Sequence, residues 1–194
     1  MSKSFINNAK YVNWSQLIIM KSKRRLFYSV LIVLFLIMFF GVCSNKESHY
    51  SVPDFTLTDI FGNDVNLYTI LRKGPVLIVC WTLWAKMGIE ELDALLSYNN
   101  ELDSMDITVL AISEDSRSSV PSILPFATEH KWICYYRILL DTTRTFANLY
   151  NIQAIPTTIA IDRKGEIFFN YLGYKPDDEK FIIDTLRAVL LGDN

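Results

Sequence analysis

A chain of 194 residues, 51% of them hydrophobic and 13% aromatic, can bury a full core, which excludes intrinsic disorder and leaves room for one domain plus a leader. The net charge of −2 joins two unlike parts: six Lys/Arg and no acid precede residue 44, whereas the remainder holds 13 basic residues and all 21 acidic ones. An acidic body lacks the clustered cations that phosphate contacts need, which argues against a nucleic-acid surface.

Residues 1–19 carry no pattern of a fold and read as an N-terminal extension ahead of Met20. Lys21-Ser-Lys-Arg-Arg25 then leads into Leu26–Val42, 17 residues without a charge. As a helix this run spans about 25 Å at ~1.5 Å per residue, slightly short of a ~30 Å hydrocarbon core. Basic-then-apolar order predicts a cytoplasmic N-terminus and an exported remainder. Residues 20–43 are therefore read as a signal peptide, a lipoprotein signal or a membrane anchor, residues 44–51 as a polar tether, and residues 52–194 as the folded domain. Cys43 resembles the lipidated cysteine that closes a bacterial lipoprotein signal, although Val42 stands where a small residue is usual. The alternative is an uncleaved anchor. Either way the membrane is an expected partner, and the domain is expected outside the cytoplasm in a bacterial cell envelope.

Within the domain, Val52–Leu67 alternates apolar and polar residues around Gly62-Asn63, the pattern of a short hairpin. Lys73-Gly74-Pro75 is a turn, and Val76–Trp81 is an unbroken apolar run suited to a strand covered on both faces. From Lys86 the apolar spacing becomes helical, through Ile89, Leu92, Leu95 and Leu96. A strand over Asp106–Ser113 follows, then a helical stretch over Ser116–His130 interrupted by Pro121 and Pro125. Tyr135–Leu140 reads as a strand and Thr142–Tyr150 as a helix. Thr157–Ile161 and Glu166–Leu172 flank a hairpin turn at Asp162–Gly165, and Asp178–Leu191 is an amphipathic helix with Phe181, Ile182, Leu186 and Val189 on one side. This order predicts an α/β domain with a parallel crossover.

Three stretches carry a family resemblance. Val52-Pro-Asp-Phe-Thr-Leu57 is similar to A-P-D-F-x-L, Val76–Leu92 to V-L-x-x-F-W-A-x-W-C-x-x-C-x-x-E, and Asn151–Gly165 to Y-x-V-x-x-x-P-T-x-x-x-I-D-x-x-G. Together they resemble the TlpA/ResA-like group of thioredoxin-fold proteins, within the redoxin and AhpC/TSA superfamily. The resemblance implies a three-layer α/β/α thioredoxin-like sandwich with an N-terminal hairpin extension, and an ancestry in thiol–disulfide exchange. That chemistry needs a thiolate at a helix N-terminus, where dipole and free N–H groups lower its pKa, and a second cysteine to resolve the mixed disulfide. Carried over by position, the two cysteines fall on Ala85 and Gly88. The buried aspartate of thioredoxins falls on Val79, and Thr82-Leu-Trp-Ala85 keeps the threonine of the peroxiredoxin T-x-x-C without its thiol. A methyl group attacks neither a disulfide nor a peroxide.

The resemblance also implies a cis bond before Pro156, with Ile155 offering main chain to extended peptides. Trp81, Trp84 and Met87 are expected near that surface, with Trp84 the exposed one and Trp81 drawn to the core. The expected function is non-catalytic binding of a partner polypeptide through Trp84, Met87, Ile155 and Pro156. The alternative is a thiol–disulfide or antioxidant oxidoreductase that uses Cys80 and Cys134, as a pair or as a single reactive thiol. Each of these cysteines also reads as an ordinary buried residue. Lys86 at a helix start reads as a solvated lysine. His130 and Cys134 have metal-ligand spacing without a second pair, so no metal and no other cofactor is expected.

Overall fold

The computed structural model describes residues 50–192. The expectations for the extension, the leader, Cys43 and most of the tether lie outside the described residues. The hairpin around Gly62-Asn63 forms from β1 (Thr56–Asp59) and β2 (Asp64–Asn66), with Leu57 opposite Val65. Asp59 Oδ1 closes its turn by accepting from the Phe61 and Asn63 amides, each at 2.8 Å. Asn66 then caps α1 (Leu67–Leu71) by accepting from Thr69 N at 3.0 Å.

The unbroken apolar run becomes β3 (Val76–Trp81), buried at every position. It is followed by α2 (Lys86–Leu95), α3 (Asn99–Ser104), β4 (Thr108–Ser113), α4 (Val120–Glu129) and β5 (Arg137–Leu140). The order continues with α5 (Thr145–Leu149), β6 (Thr157–Ile161), β7 (Ile167–Leu172) and α6 (Asp178–Leu191). The seven strands form one sheet in the order β2-β1-β5-β4-β3-β6-β7. The β3–β4 and β4–β5 pairs are parallel and the other pairs antiparallel.

Strand alternation explains why β3 has no polar residue. Leu77, Val79 and Trp81 join a cluster with Leu92 of α2, Ile123 of α4 and Ile182 of α6. Val76, Ile78 and Cys80 join a second cluster on the other face, with Leu67 of α1 and Phe146 of α5. Both faces are therefore cores, and the architecture is the expected three-layer α/β/α sandwich. Each fully buried aliphatic side chain contributes on the order of 1.5–3 kcal/mol.

Several expected boundaries move for local reasons. β4 starts at Thr108 rather than Asp106, because Asp106 adopts a left-handed φ of 57°. Trp132–Cys134 winds into a 3-10 turn, which shortens the next strand to Arg137–Leu140. Asp141 accepts from Thr145 N at 2.7 Å and Ala147 N at 2.8 Å, and this cap fixes the start of α5 at Thr145. The two prolines do not interrupt α4. Pro121 lies in its first turn, where a missing N–H leaves nothing unpaired, and Pro125 forgoes a single bond while Ile123 and Ala127 hold the helix to the core. On α6 the buried side chains are Ile182, Ile183 and Leu186, whereas Phe181 and Val189 face outward, contrary to the expected apolar side.

Candidate functional site

At the end of β3 the chain leaves the sheet through Thr82–Ala85, with Ala85 N donating to Thr82 O at 3.2 Å. Ala85 is the N-cap of α2 in extended conformation (φ −90°, ψ 91°), and its carbonyl accepts from Gly88 N at 3.0 Å and Ile89 N at 3.3 Å. The alanine methyl makes no capping bond, so the first amides of α2 meet no side-chain acceptor from residue 85. A negative charge there would be stabilised by the helix dipole.

Gly88 faces the start of β6. A Cβ placed on it would lie 3.2 Å from Trp81 Cβ and 3.7 Å from Pro156 Cβ. The Ile155–Pro156 bond is cis. Both frame positions, the end of β3 and the cis proline are thus brought together, as the resemblance implies. Pro156 is buried and Ile155 half-buried. Among the described residues, the Ile155 peptide N–H and C=O make no backbone hydrogen bond. Trp84 is 78% exposed and Met87 48% exposed, so both stand on the surface beside the turn. Trp81 does not join them. It is fully buried and packs edge-on against Trp132, with ring centroids 4.8 Å apart.

The site contains no nucleophile at either frame position. The two cysteines of the body are both free, Cys80 inside β3 and Cys134 exposed, and the fold does not bring them together as a disulfide. Burial pushes the Cys80 thiol well up, and the carboxylates of Glu114, Glu91 and Asp141 push it further. A thiol held protonated in a core is a poor nucleophile. Lys86 pairs with Glu90 at 3.1 Å on the helix surface. His130 Nδ1 lies 2.8 Å from Asp93, which also accepts from Trp132 Nε1 at 2.9 Å. This cluster ties α2 to α4. Among the described residues no group of three His, Cys, Asp or Glu side chains is placed to hold a metal.

Two acids lie beside the site: Glu91, which falls on the glutamate of the C-x-x-C-x-x-E frame, and Glu114, which falls on no motif. Glu91 is fully buried under α2 and accepts from Thr158 Oγ1 of β6, while its Oε2 has no partner. Burial pushes its carboxyl up to about 7, against the lowering effect of the Thr158 hydroxyl, and the nearby Asp178 charge adds to the rise. The signal was available: Gly88, Glu91, Leu92 and Leu95 form the inward i, i+3, i+4, i+7 stripe of the helix. Glu114 follows β4, its side chain only 2% exposed, with Arg144 Nη1 2.7 Å from Oε2. Burial raises its carboxyl and Arg144 opposes the rise. No sequence pattern marks that pair, because it joins two separate loops.

Comparison with known proteins agrees with this geometry. Residues 49–169 match the model of the AhpC/TSA family. The chain is 27% identical over 158 residues to the thiol-disulfide oxidoreductase ResA of Bacillus subtilis (strain 168), covering 76% of this chain and 85% of that protein. It is 25% identical over 144 residues to the thiol:disulfide interchange protein DsbE of Haemophilus influenzae, covering 71% of this chain and 72% of that protein. Among solved structures, a thiol:disulfide interchange protein from Bacteroides sp. superposes with a TM-score of 0.59 at 24% identity, over 75% of this chain and 91% of that one. Peroxidoxin BcpB from Mycobacterium tuberculosis superposes with a TM-score of 0.62 at 22% identity, over 71% of this chain and 94% of that one. These two likenesses support the fold. By sequence and by fold, the chain belongs to the AhpC/TSA family and is related to thiol–disulfide oxidoreductases.

Proposed function

We propose that this chain is a membrane-tethered, extracytoplasmic member of the family that has given up thiol–disulfide exchange at the usual site and binds an extended polypeptide segment there. One observation carries the reading: Ala85 holds the N-cap of α2 and Gly88 packs toward the cis proline, so the frame of a redox turn stands without sulfur. What remains is a recognition surface. Ile155 offers unpaired main chain for strand-like pairing, and Trp84 and Met87 supply exposed apolar contact. The basic-then-apolar leader supports the tether and the exported location.

The test is an assay of the domain for insulin-disulfide reduction and peroxide consumption, beside a peptide-binding measurement by titration calorimetry, whose signal does not depend on Trp84. The reading expects no turnover above a protein-free control and saturable binding that Trp84→Ala weakens. Turnover that vanishes in Cys134→Ser or Cys80→Ser would establish the oxidoreductase alternative instead.

A further inference from the structure

Unsatisfied polar atoms gather on one side of the candidate site. Glu114 Oε1, Glu114 Oε2 and Thr82 Oγ1 are shielded from solvent and make no hydrogen bond among the described residues. Thr82 is 2% exposed, as is the Glu114 side chain. Arg144 Nη1 lies 2.7 Å from Glu114 Oε2, but the contact lacks hydrogen-bond geometry and is Coulombic only. A buried polar atom without a partner is destabilising, and three in one place point to a group that completes them.

Register brings these atoms together. Trp81 pairs with Ser113 in the parallel β3–β4 ladder, and Glu114 N extends it by donating to Trp81 O at 3.0 Å. Thr82 and Glu114 are the next residues on the two strands. On the other side of β3, Cys80 lies opposite Thr157, so the antiparallel register carries Thr82 toward Ile155. Alternation keeps all three on the α1/α5 face: Cys80 and Ile112, each two residues earlier, lie in that core cluster, and Ile155 packs against it. Thr82 is therefore flanked by Glu114 and by the free main chain of Ile155.

The neighbouring acids already have their donors. Asp115 accepts from Leu83 N and Ser113 Oγ, and Asp141 from Thr145 N and Ala147 N. Glu114 has none, and Arg144 is the counter-ion to this group of three carboxylates. The missing partner is thus a cation that donates hydrogen bonds. A lysine ammonium carries three N–H donors on a flexible stem, one for each open acceptor. We propose that Glu114 and Thr82 form an ammonium subsite, and that the extended segment bound at Ile155 carries a lysine whose Nζ donates to Glu114 Oε1, Glu114 Oε2 and Thr82 Oγ1. Adjacent strands lie ~4.8 Å apart, within reach of a lysine stem from a segment paired on Ile155. Arg144 is 54% exposed, so its side chain turns outward into solvent as the lysine enters. The subsite rests on the proposed binding of an extended segment.

Titration calorimetry of the full chain in nonionic detergent tests the subsite with three acetylated heptapeptides of alanine and valine. They differ only at the central residue, which is lysine, norleucine or glutamate. The lysine peptide should bind at least about ten-fold more tightly than the norleucine peptide, the gain expected of hydrogen bonds to a charged group. Glu114→Gln should abolish that preference, and Thr82→Val, which removes one acceptor and keeps the shape, should reduce it. The contrast in the wild type stands even if Glu114→Gln fails to fold. Equal binding of the lysine and norleucine peptides, tighter binding of the glutamate peptide, or a lysine preference that survives in folded Glu114→Gln would overturn the subsite alone. Binding of none of the three peptides would overturn the proposed function together with it.

Discussion

Glu91 of α2 accepts a hydrogen bond from Thr158 of β6, three residues past Gly88 on one element and two past Pro156 on the other. The bond therefore joins the two segments that shape the site, inside the core. Its carboxyl is ordinarily near 4.5 and is pushed up to about 7 by burial. Between those values the native state keeps a proton that the unfolded chain has released, so stability falls as pH rises through that window and levels off above it. A rise of this size corresponds to about 3 kcal/mol at ~1.4 kcal/mol per unit. Urea unfolding at pH 5 and pH 7.5 should show most of this loss, about 2 kcal/mol, in the wild type and a much smaller one in Glu91→Gln. Parallel pH dependences would remove Glu91 from the account.

The two tryptophans around the turn should separate binding from stability. Trp84 stands in solvent, so Trp84→Ala should change unfolding free energy by no more than about 0.5 kcal/mol. The same change should weaken peptide binding ten-fold or more, the loss expected of an anchoring aromatic. Trp81 is fully buried against Trp132 and Phe126, and Trp81→Ala should cost about 3–5 kcal/mol. Peptide titration and denaturant unfolding of both variants check the contrast, and unaltered binding in Trp84→Ala would move the recognition surface elsewhere.

Thiol reactivity should follow burial. In the isolated unit of residues 48–194, one thiol should react rapidly with a chromogenic disulfide reagent and the second only after unfolding. Cys134→Ser should abolish the rapid phase. A count of zero free thiols before reduction would mean a Cys80–Cys134 disulfide, which this fold does not form.

Much of this arrangement is legible in the sequence. Val76–Trp81, Thr157–Ile161 and Asp178–Leu191 take the expected bounds, because unbroken apolar runs and turn residues state where those elements stop. Ala85 and Gly88 are found at the redox frame because the flanking motifs fix their spacing. The side of α6 that faces the core is not legible in the same way. Phe181 and Val189 look inward by periodicity, but the side of α6 that packs is the one holding Ile182, Ile183 and Leu186, and which side docks is set by the neighbouring elements rather than by the spacing. Glu91 shares the inward stripe with Gly88, Leu92 and Leu95 and so is readable as facing the sheet, whereas its bond to Thr158 depends on the packing of α2 on β6. Pro156 is readable as a special position, whereas its contact with Gly88 depends on two segments far apart in sequence.

The central claim is that the turn is intact and lacks only its sulfurs, and insulin-disulfide reduction with dithiothreitol tests it most directly. Wild type and Ala85→Cys/Gly88→Cys are assayed side by side. A cysteine at 85 occupies the N-cap of α2, where its pKa should fall below the ~8.5 of a free thiol. At residue 88 φ is not left-handed, and the new Cβ meets Trp81 Cβ at 3.2 Å, which asks for a shift of a few tenths of an ångström. The account predicts no turnover by the wild type and measurable turnover by the double variant. Turnover by the wild type, or a folded double variant whose two thiols stay independent and inactive, would contradict it.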